Sequence, residues 1–153
     1  MFIVKKSPSN PILTPDKKQS WEASGSFNPS PVSIGRKKYI LYRAISDKIS
    51  GQTPEQISTI GITLNDNGKT FKDRRPFIVP EYIWEKYGCE DPRAIKIDGK
   101  YFIFYTALCQ FPFGAEGIKV AVAISKNLKK VDEKHLVTPF NAKAMAIFPQ
   151  KID

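Results

Sequence analysis

Histidine and cysteine are almost missing from this chain: one histidine and two cysteines occur among 153 residues. The single His135 cannot build a histidine-based metal site, and Ser–His nucleophilic chemistry would rest on it alone. Its setting, Asp132-Glu133-Lys134-His135, reads as a polar loop or edge. Cys89 and Cys109 form neither a disulfide framework nor a zinc pattern. Both are expected as reduced thiols in the cytoplasm, with no metal bound. No apolar run is long enough to span a membrane. Residues 1–6 lead into Ser7-Pro8-Ser9-Asn10-Pro11 rather than the apolar core of a signal peptide, so no membrane partner is expected. Helical periodicity is equally scarce, with room for one turn in residues 81–87.

Charge is plentiful. Lys+Arg number 24 against 15 Asp+Glu, a net charge of +9. An anionic partner would suit that excess. The lysines, however, are scattered in pairs (Lys5-Lys6, Lys17-Lys18, Lys37-Lys38, Lys129-Lys130) with no nucleic-acid-binding motif beside them. A solvated surface is therefore expected, and no nucleic acid. A hydrophobic content of 41% suffices for a packed core, and the length suits one domain or part of a larger one.

Strand signals fill the rest. Lys38-Tyr39-Ile40-Leu41-Tyr42 is apolar and aromatic, and Ile57-Ser58-Thr59-Ile60-Gly61-Ile62-Thr63-Leu64 alternates. A turn is expected at Asn65-Asp66-Asn67-Gly68, before Lys69-Thr70-Phe71. Residues 101–105 and 118–124 supply two more runs rich in β-branched and aromatic side chains. Residues 1–24, with Pro8, Pro11 and Pro15, read as an extended segment in which Trp21 anchors the chain to the body.

The chain repeats itself. A shift of 63 lays Asn28-Pro29-Ser30-Pro31-Val32-Ser33-Ile34 on Asp91-Pro92-Arg93-Ala94-Ile95-Lys96-Ile97, and Tyr42-Arg43-Ala44 on Tyr105-Thr106-Ala107 without a gap. A shift of 61 lays Gly61-Ile62-Thr63-Leu64-Asn65-Asp66 on Val122-Ala123-Ile124-Ser125-Lys126-Asn127. Phe148-Pro149-Gln150-Lys151-Ile152-Asp153 resembles the opening of a third copy. Each unit has the length and content of a β-propeller blade. An all-β fold is expected, with about two blades plus the first strand of a third: an N-terminal segment over 1–24, blade 1 over 25–80, blade 2 over 81–140 and the start of blade 3 over 141–153. Since the repeat breaks off in its third copy, these residues are not expected to close a ring alone.

Glu90-Asp91-Pro92-Arg93 stands at the mouth of an apolar hairpin. Proline is expected to restrict Asp91 to an extended backbone, and two acids beside a guanidinium suit either catalysis or a structural ion pair. First strands of propeller blades line the central channel, so Asn28, Asp91 and the segment from Lys143 to Phe148 should surround one pocket, with Glu90, Arg93 and Arg43 near its rim. Such a funnel of acid, amide and guanidinium suits a polyhydroxylated ligand and a carboxyl that protonates a leaving oxygen. Tyr42, Tyr105 and Trp84 could offer apolar faces to sugar rings, although core packing suits the two tyrosines better.

At these residues the sequence resembles glycoside hydrolase family 130. The resemblance is carried by Phe27-Asn28-Pro29-Ser30, Tyr39-Ile40-Leu41-Tyr42-Arg43-Ala44, Glu90-Asp91-Pro92-Arg93 with Asp98-Gly99-Lys100-Tyr101, and Tyr105-Thr106-Ala107. Asn10-Pro11-Ile12-Leu13-Thr14-Pro15 resembles the family's opening, and Asn141-Ala142-Lys143-Ala144-Met145-Ala146-Ile147-Phe148-Pro149 its third-blade entrance. The resemblance implies a five-bladed propeller acting on β-mannosides and the N-terminal portion of such a domain. It implies Asp91 as general acid, Asn28 and Arg43 holding the sugar at the cleaved end, Glu90 and Arg93 beside them, and Lys143 near a phosphate-binding position. Asp91 would send its proton through a sugar hydroxyl while phosphate attacks with inversion, unlike the usual pair of flanking carboxylates. No cofactor is implied beyond inorganic phosphate as co-substrate. The substrate implied is a β-linked manno-oligosaccharide or mannosyl-glucose, and a homo-oligomer is compatible with the reading. Ala144 stands where many phosphorylases carry an acid, which leaves room for an inverting β-mannosidase. A non-catalytic carbohydrate-binding propeller is the remaining alternative.

Overall fold

A computed structural model describes residues 3–65 and 70–150. Most of the turn expected at Asn65-Asp66-Asn67-Gly68, and the last three residues of the third repeat, lie outside that range. Eight strands form two antiparallel meanders. The first runs through β1 (Gly25–Ile34), β2 (Lys37–Ile45), β3 (Ser58–Asn65) and β4 (Phe71–Ile78). The second runs through β5 (Gly88–Ile97), β6 (Lys100–Leu108), β7 (Ile118–Ser125) and β8 (Glu133–Leu136). Within each, every strand pairs with the one before it. The two meet through one parallel bridge, Ser58 to Gly88. The fold is all-β, built of propeller blades. Among the described residues no helix is long and apolar enough to cross a membrane; a single 3-10 turn, Ile83–Glu85, occupies the stretch expected to hold one.

Period-2 alternation sorts the side chains. On β6, Tyr101, Ile103, Tyr105 and Ala107 face the first meander, where they meet Leu41, Ile60, Ile62, Phe77 and Ile78 in one buried cluster. The intervening Phe104 turns to the opposite face and packs with Val120, Val122, Phe102 and Met145. Ala121 and Ala123 on β7 belong to the first cluster, and their small side chains let the two sheets approach. Each fully buried Ile or Leu contributes roughly 1.5–3 kcal/mol of transfer free energy, so the seam between the meanders contributes substantially to stability.

The repeat runs deeper than the shift of 63 first suggested. Trp21-Glu22 with Gly25 and Asn28-Pro29 matches Trp84-Glu85 with Gly88 and Asp91-Pro92 at the same shift. Each glutamate is fully buried and each accepts a hydrogen bond from the equivalent tyrosine: Tyr42 to Glu22 at 2.7 Å, and Tyr105 to Glu85. Each is closed by a cation from the fourth strand of its meander. Arg74 stands 2.7 Å from Glu22, and Lys134 stands 2.8 Å from Glu85. Burial pushes both tyrosine hydroxyls well above their ordinary pKa, helped by Glu22 at Tyr42 and by Cys89 and then Glu85 at Tyr105. Burial alone would lower Lys134, but its bonds to Glu85 and Glu81 outweigh that and raise it. These two clamps fasten the chain entering each first strand to the strands behind it.

Residues 17–24 therefore do not run extended. They coil through successive turns, Gln19 to Asp16 and Glu22 to Gln19, because Glu22 must reach Tyr42. Trp21 lies 6.2 Å from the Tyr42 ring, as the anchoring role required. Glu133, Lys134 and His135 lie on the edge strand β8, as the polar loop-or-edge reading allowed, but the Lys134 side chain turns inward and is only 3% exposed. The eight paired lysines named above are all exposed, and both cysteines are free thiols, Cys89 buried and Cys109 half-buried.

Gly61 shows how tightly the first clamp is packed. A Cβ there would stand 2.7 Å from Tyr42 and 2.8 Å from Trp21, inside contact distance of two rings that have nowhere to move. Gly61→Ala is expected to cost about 1–3 kcal/mol, read as a lowered Tm by calorimetry. An unchanged Tm would mean that Trp21 is not held against the sheet.

Candidate functional site

The site begins with a defect in the sheet. β1 pairs Phe27 with Arg43 and then Ser30 with Leu41, so Asn28 and Pro29 together oppose Tyr42. β5 repeats this, pairing Glu90 with Thr106 and then Arg93 with Phe104, so Asp91 and Pro92 oppose Tyr105. Each is a β-bulge, which re-aims the side chain of the extra residue. Proline suits a bulge because it has no N–H to offer the ladder. Asn28 and Asp91 take left-handed backbones, with φ of 47° and 52°, so Asp91 is not extended as the following proline suggested: the bulge demands a region that asparagine and aspartate enter more readily than other side chains.

The re-aimed groups meet. Asn28 Nδ2 donates to Asp91 Oδ1 at 2.6 Å. Arg43, opposite Phe27, places Nη1 3.9 Å from the same oxygen, and Lys143 Nζ lies 3.9 Å from Asp91 Oδ2. Arg43 also pairs with Glu90 Oε1 at 2.6 Å. Asp91 is 8% exposed, a buried carboxylate with an amide and two cations around it. Five of the six residues singled out in the sequence (Asn28, Arg43, Glu90, Asp91, Lys143) thus stand together. Arg93 does not join them: it is exposed, and its guanidinium donates to the Pro92 carbonyl at 2.9 Å.

Sequence reasoning missed Ser58. Its hydroxyl donates to Glu90 Oε1 at 3.1 Å and accepts from Arg43 Nε at 3.3 Å, closing a triangle that holds both charged side chains. It sits at the bridge between the two meanders, a place that only the assembled sheet defines. Tyr42 and Tyr105 are 0% and 2% exposed, engaged in the clamps and closed to any ligand. Trp84 stacks on Tyr82, with ring centroids 4.3 Å apart, and packs against the core. Ala144 also takes a left-handed backbone, φ 59°. The third approach thus shares the left-handed backbone of the first two, but carries an apolar side chain at that position.

Chemically, the cluster offers two carboxylates, an amide donor bonded to one of them, and two cations able to hold an anion or a hydroxyl-rich ligand.

A family model described as beta-1,4-mannooligosaccharide phosphorylase, glycoside hydrolase family 130, matches residues 4–153. A beta-1,2-mannobiose phosphorylase from Thermoanaerobacter sp. (strain X514) is 31% identical across 100% of this chain and 52% of its own length. A 1,2-beta-oligomannan phosphorylase from the same strain is 29% identical across 100% of this chain and 51% of its own. The chain thus spans about half the length of these curated relatives. A solved structure from the GH130 family of mannoside phosphorylases, described as containing glycoside hydrolases that target beta-1,2 mannosidic linkages in Candida mannan, superposes with a TM-score of 0.70. It is 28% identical over 85% of this chain and 39% of its own.

Proposed function

Because the chain belongs to glycoside hydrolase family 130, we propose that the protein carrying it is a β-mannoside phosphorylase whose general acid is Asp91. Asp91 passes its proton through a sugar hydroxyl to the glycosidic oxygen. Phosphate attacks the anomeric carbon from the opposite face, the C–O bond breaks, and α-mannose 1-phosphate leaves beside the shortened sugar. Asn28 and Arg43 hold the sugar at the cleaved end, and Lys143 receives the phosphate. The observation that carries this reading is the convergence of Asn28, Arg43 and Lys143 on the two oxygens of one buried carboxylate. Both Thermoanaerobacter relatives act on 1,2-linked β-mannosides by their names, which favours that linkage here.

The reverse direction tests it. Given α-mannose 1-phosphate and mannose, the protein is expected to release inorganic phosphate and form a β-mannoside. Release of phosphate without disaccharide would sink the phosphorylase reading. An inverting β-mannosidase is the second reading, favoured by Ala144, which removes a polar group from the third approach, and by the hydrolases described alongside the 28%-identical structure.

A further inference from the structure

Beside Asp91 lies a cavity of about 380 Å³ whose polar wall includes Arg43, Gln56, Glu90 and Lys143. The rest of its lining is largely apolar: Ile45, Leu108, Ile118 and the ring of Phe113. Phe113 belongs to the loop between β6 and β7, which no strand signal or repeat marks. The loop is closed by Cys109 N–H to the Gly117 carbonyl at 2.9 Å and Gly117 N–H to the Gly114 carbonyl at 3.1 Å. Phe111 meets Phe113 edge to face, with centroids 5.1 Å apart and planes at 88°, and itself leans on Tyr87 at 6.2 Å. This relay of rings holds Phe113 at the cavity while leaving it 55% exposed.

We propose that Phe113 is the stacking platform of a pyranose-binding pocket that adjoins Asp91, and that this pocket takes one sugar unit of the substrate. The identity of that sugar rests on the mannoside reading; the pocket rests on the geometry. A pyranose has one face of C–H bonds, which an aromatic ring covers well, and a rim of hydroxyls that need donors and acceptors together. Arg43, which holds the sugar at the cleaved end, supplies donors. Glu90 supplies an acceptor: its Oε1 is taken by Arg43 and Ser58, while Oε2 accepts no hydrogen bond among the described residues. A phosphate would use the two cations, but three aliphatic side chains and a phenyl ring would leave its other oxygens unpaired. A mixed wall of this kind is the ordinary lining of a small-molecule site, apolar with a few directed polar groups.

The test is calorimetric titration of the wild-type protein, Phe113→Ala and Phe113→Trp with β-1,2-mannobiose, with cellobiose, and separately with inorganic phosphate. Phe113→Ala is expected to weaken mannobiose binding about tenfold or more, Phe113→Trp to retain it, and phosphate binding to stay unchanged in both. Mannobiose bound by Phe113→Ala as tightly as by wild type overturns the platform, as does a parallel loss of phosphate affinity. Wild-type binding of cellobiose alone, lost in Phe113→Ala, upholds the platform and removes the mannoside reading. Wild-type binding of neither sugar overturns both.

Discussion

Replacing Asp91 with asparagine is expected to lower kcat/KM for β-mannoside phosphorolysis by about 10³-fold, within the 10²–10⁴ range of positioned acids. The substitution is chosen because almost everything else survives it. Asparagine has the shape of aspartate, and it tolerates the left-handed backbone that Asp91 takes at φ 52°. Its amide oxygen can still accept from Asn28 Nδ2, which now stands 2.6 Å from Oδ1. What disappears is the exchangeable proton and the negative charge that Arg43 and Lys143 flank. Steady-state kinetics with saturating phosphate, and Tm measured alongside, separate the two effects. A near wild-type rate at unchanged Tm would mean that another group donates the proton.

The second large effect concerns stability. Lys134→Ala is expected to destabilise the protein by about 3–5 kcal/mol, the cost of stranding a buried charge. Glu85 is fully buried, and its partners are the Tyr105 hydroxyl, the Cys89 thiol at 3.5 Å, backbone N–H groups of Glu81 and Tyr82, and Lys134 at 2.8 Å. Lys134 is its only cation among the described residues. Lys134 also donates to the Val79 carbonyl at 2.6 Å, so its loss loosens the link between the two meanders as well. Adding Glu85→Gln to Lys134→Ala should recover part of the deficit, because a neutral amide is far cheaper to bury unpaired than a carboxylate. Denaturant titration of the two single variants and the double gives the coupling directly. If Lys134→Ala alone costs under about 1 kcal/mol, as an exposed pair would, the clamp is not a fastening.

These two residues mark where the sequence was legible and where it was not. Asn28 and Asp91 could be aligned because the bulge demands the same residue types twice: a side chain that accepts a left-handed backbone, then a proline with no N–H. The aromatic and β-branched run at residues 101–105 announced a strand, and the structure buries it on both faces. Lys134 gave no such sign. In a run of charged residues a lysine reads as solvated, and only the approach of Glu85 from 49 positions away makes its burial affordable. Trp21-Glu22 was within reach of the same shift of 63 that aligned the bulges. The prolines before it suggested an extended approach instead, and the turns that bring Glu22 inside depend on a tyrosine 20 positions on. Ser58 and Phe113 are tertiary facts: one exists as a site residue because two sheets meet at it, the other because a loop without periodicity folds back over a cavity.

The site is therefore best understood as a product of repetition. One bulge sets an amide and the next sets an acid. The clamps behind them fix the height at which each bulge opens. Arg43 and Lys143 arrive from a neighbouring strand and from the third approach. Had the acid stood at Asn28 and the amide at Asp91, the same framework would hold them, so the chemistry lies in side chains placed on a duplicated scaffold.

The most direct measurement of the central claim is phosphorus NMR of the protein with β-1,2-mannobiose, in the presence and absence of inorganic phosphate. With phosphate present, the resonance of α-mannose 1-phosphate should grow in step with free mannose, and without phosphate the disaccharide should stay intact. Mannose released at the same rate with or without phosphate, and no new phosphorus resonance, would contradict it.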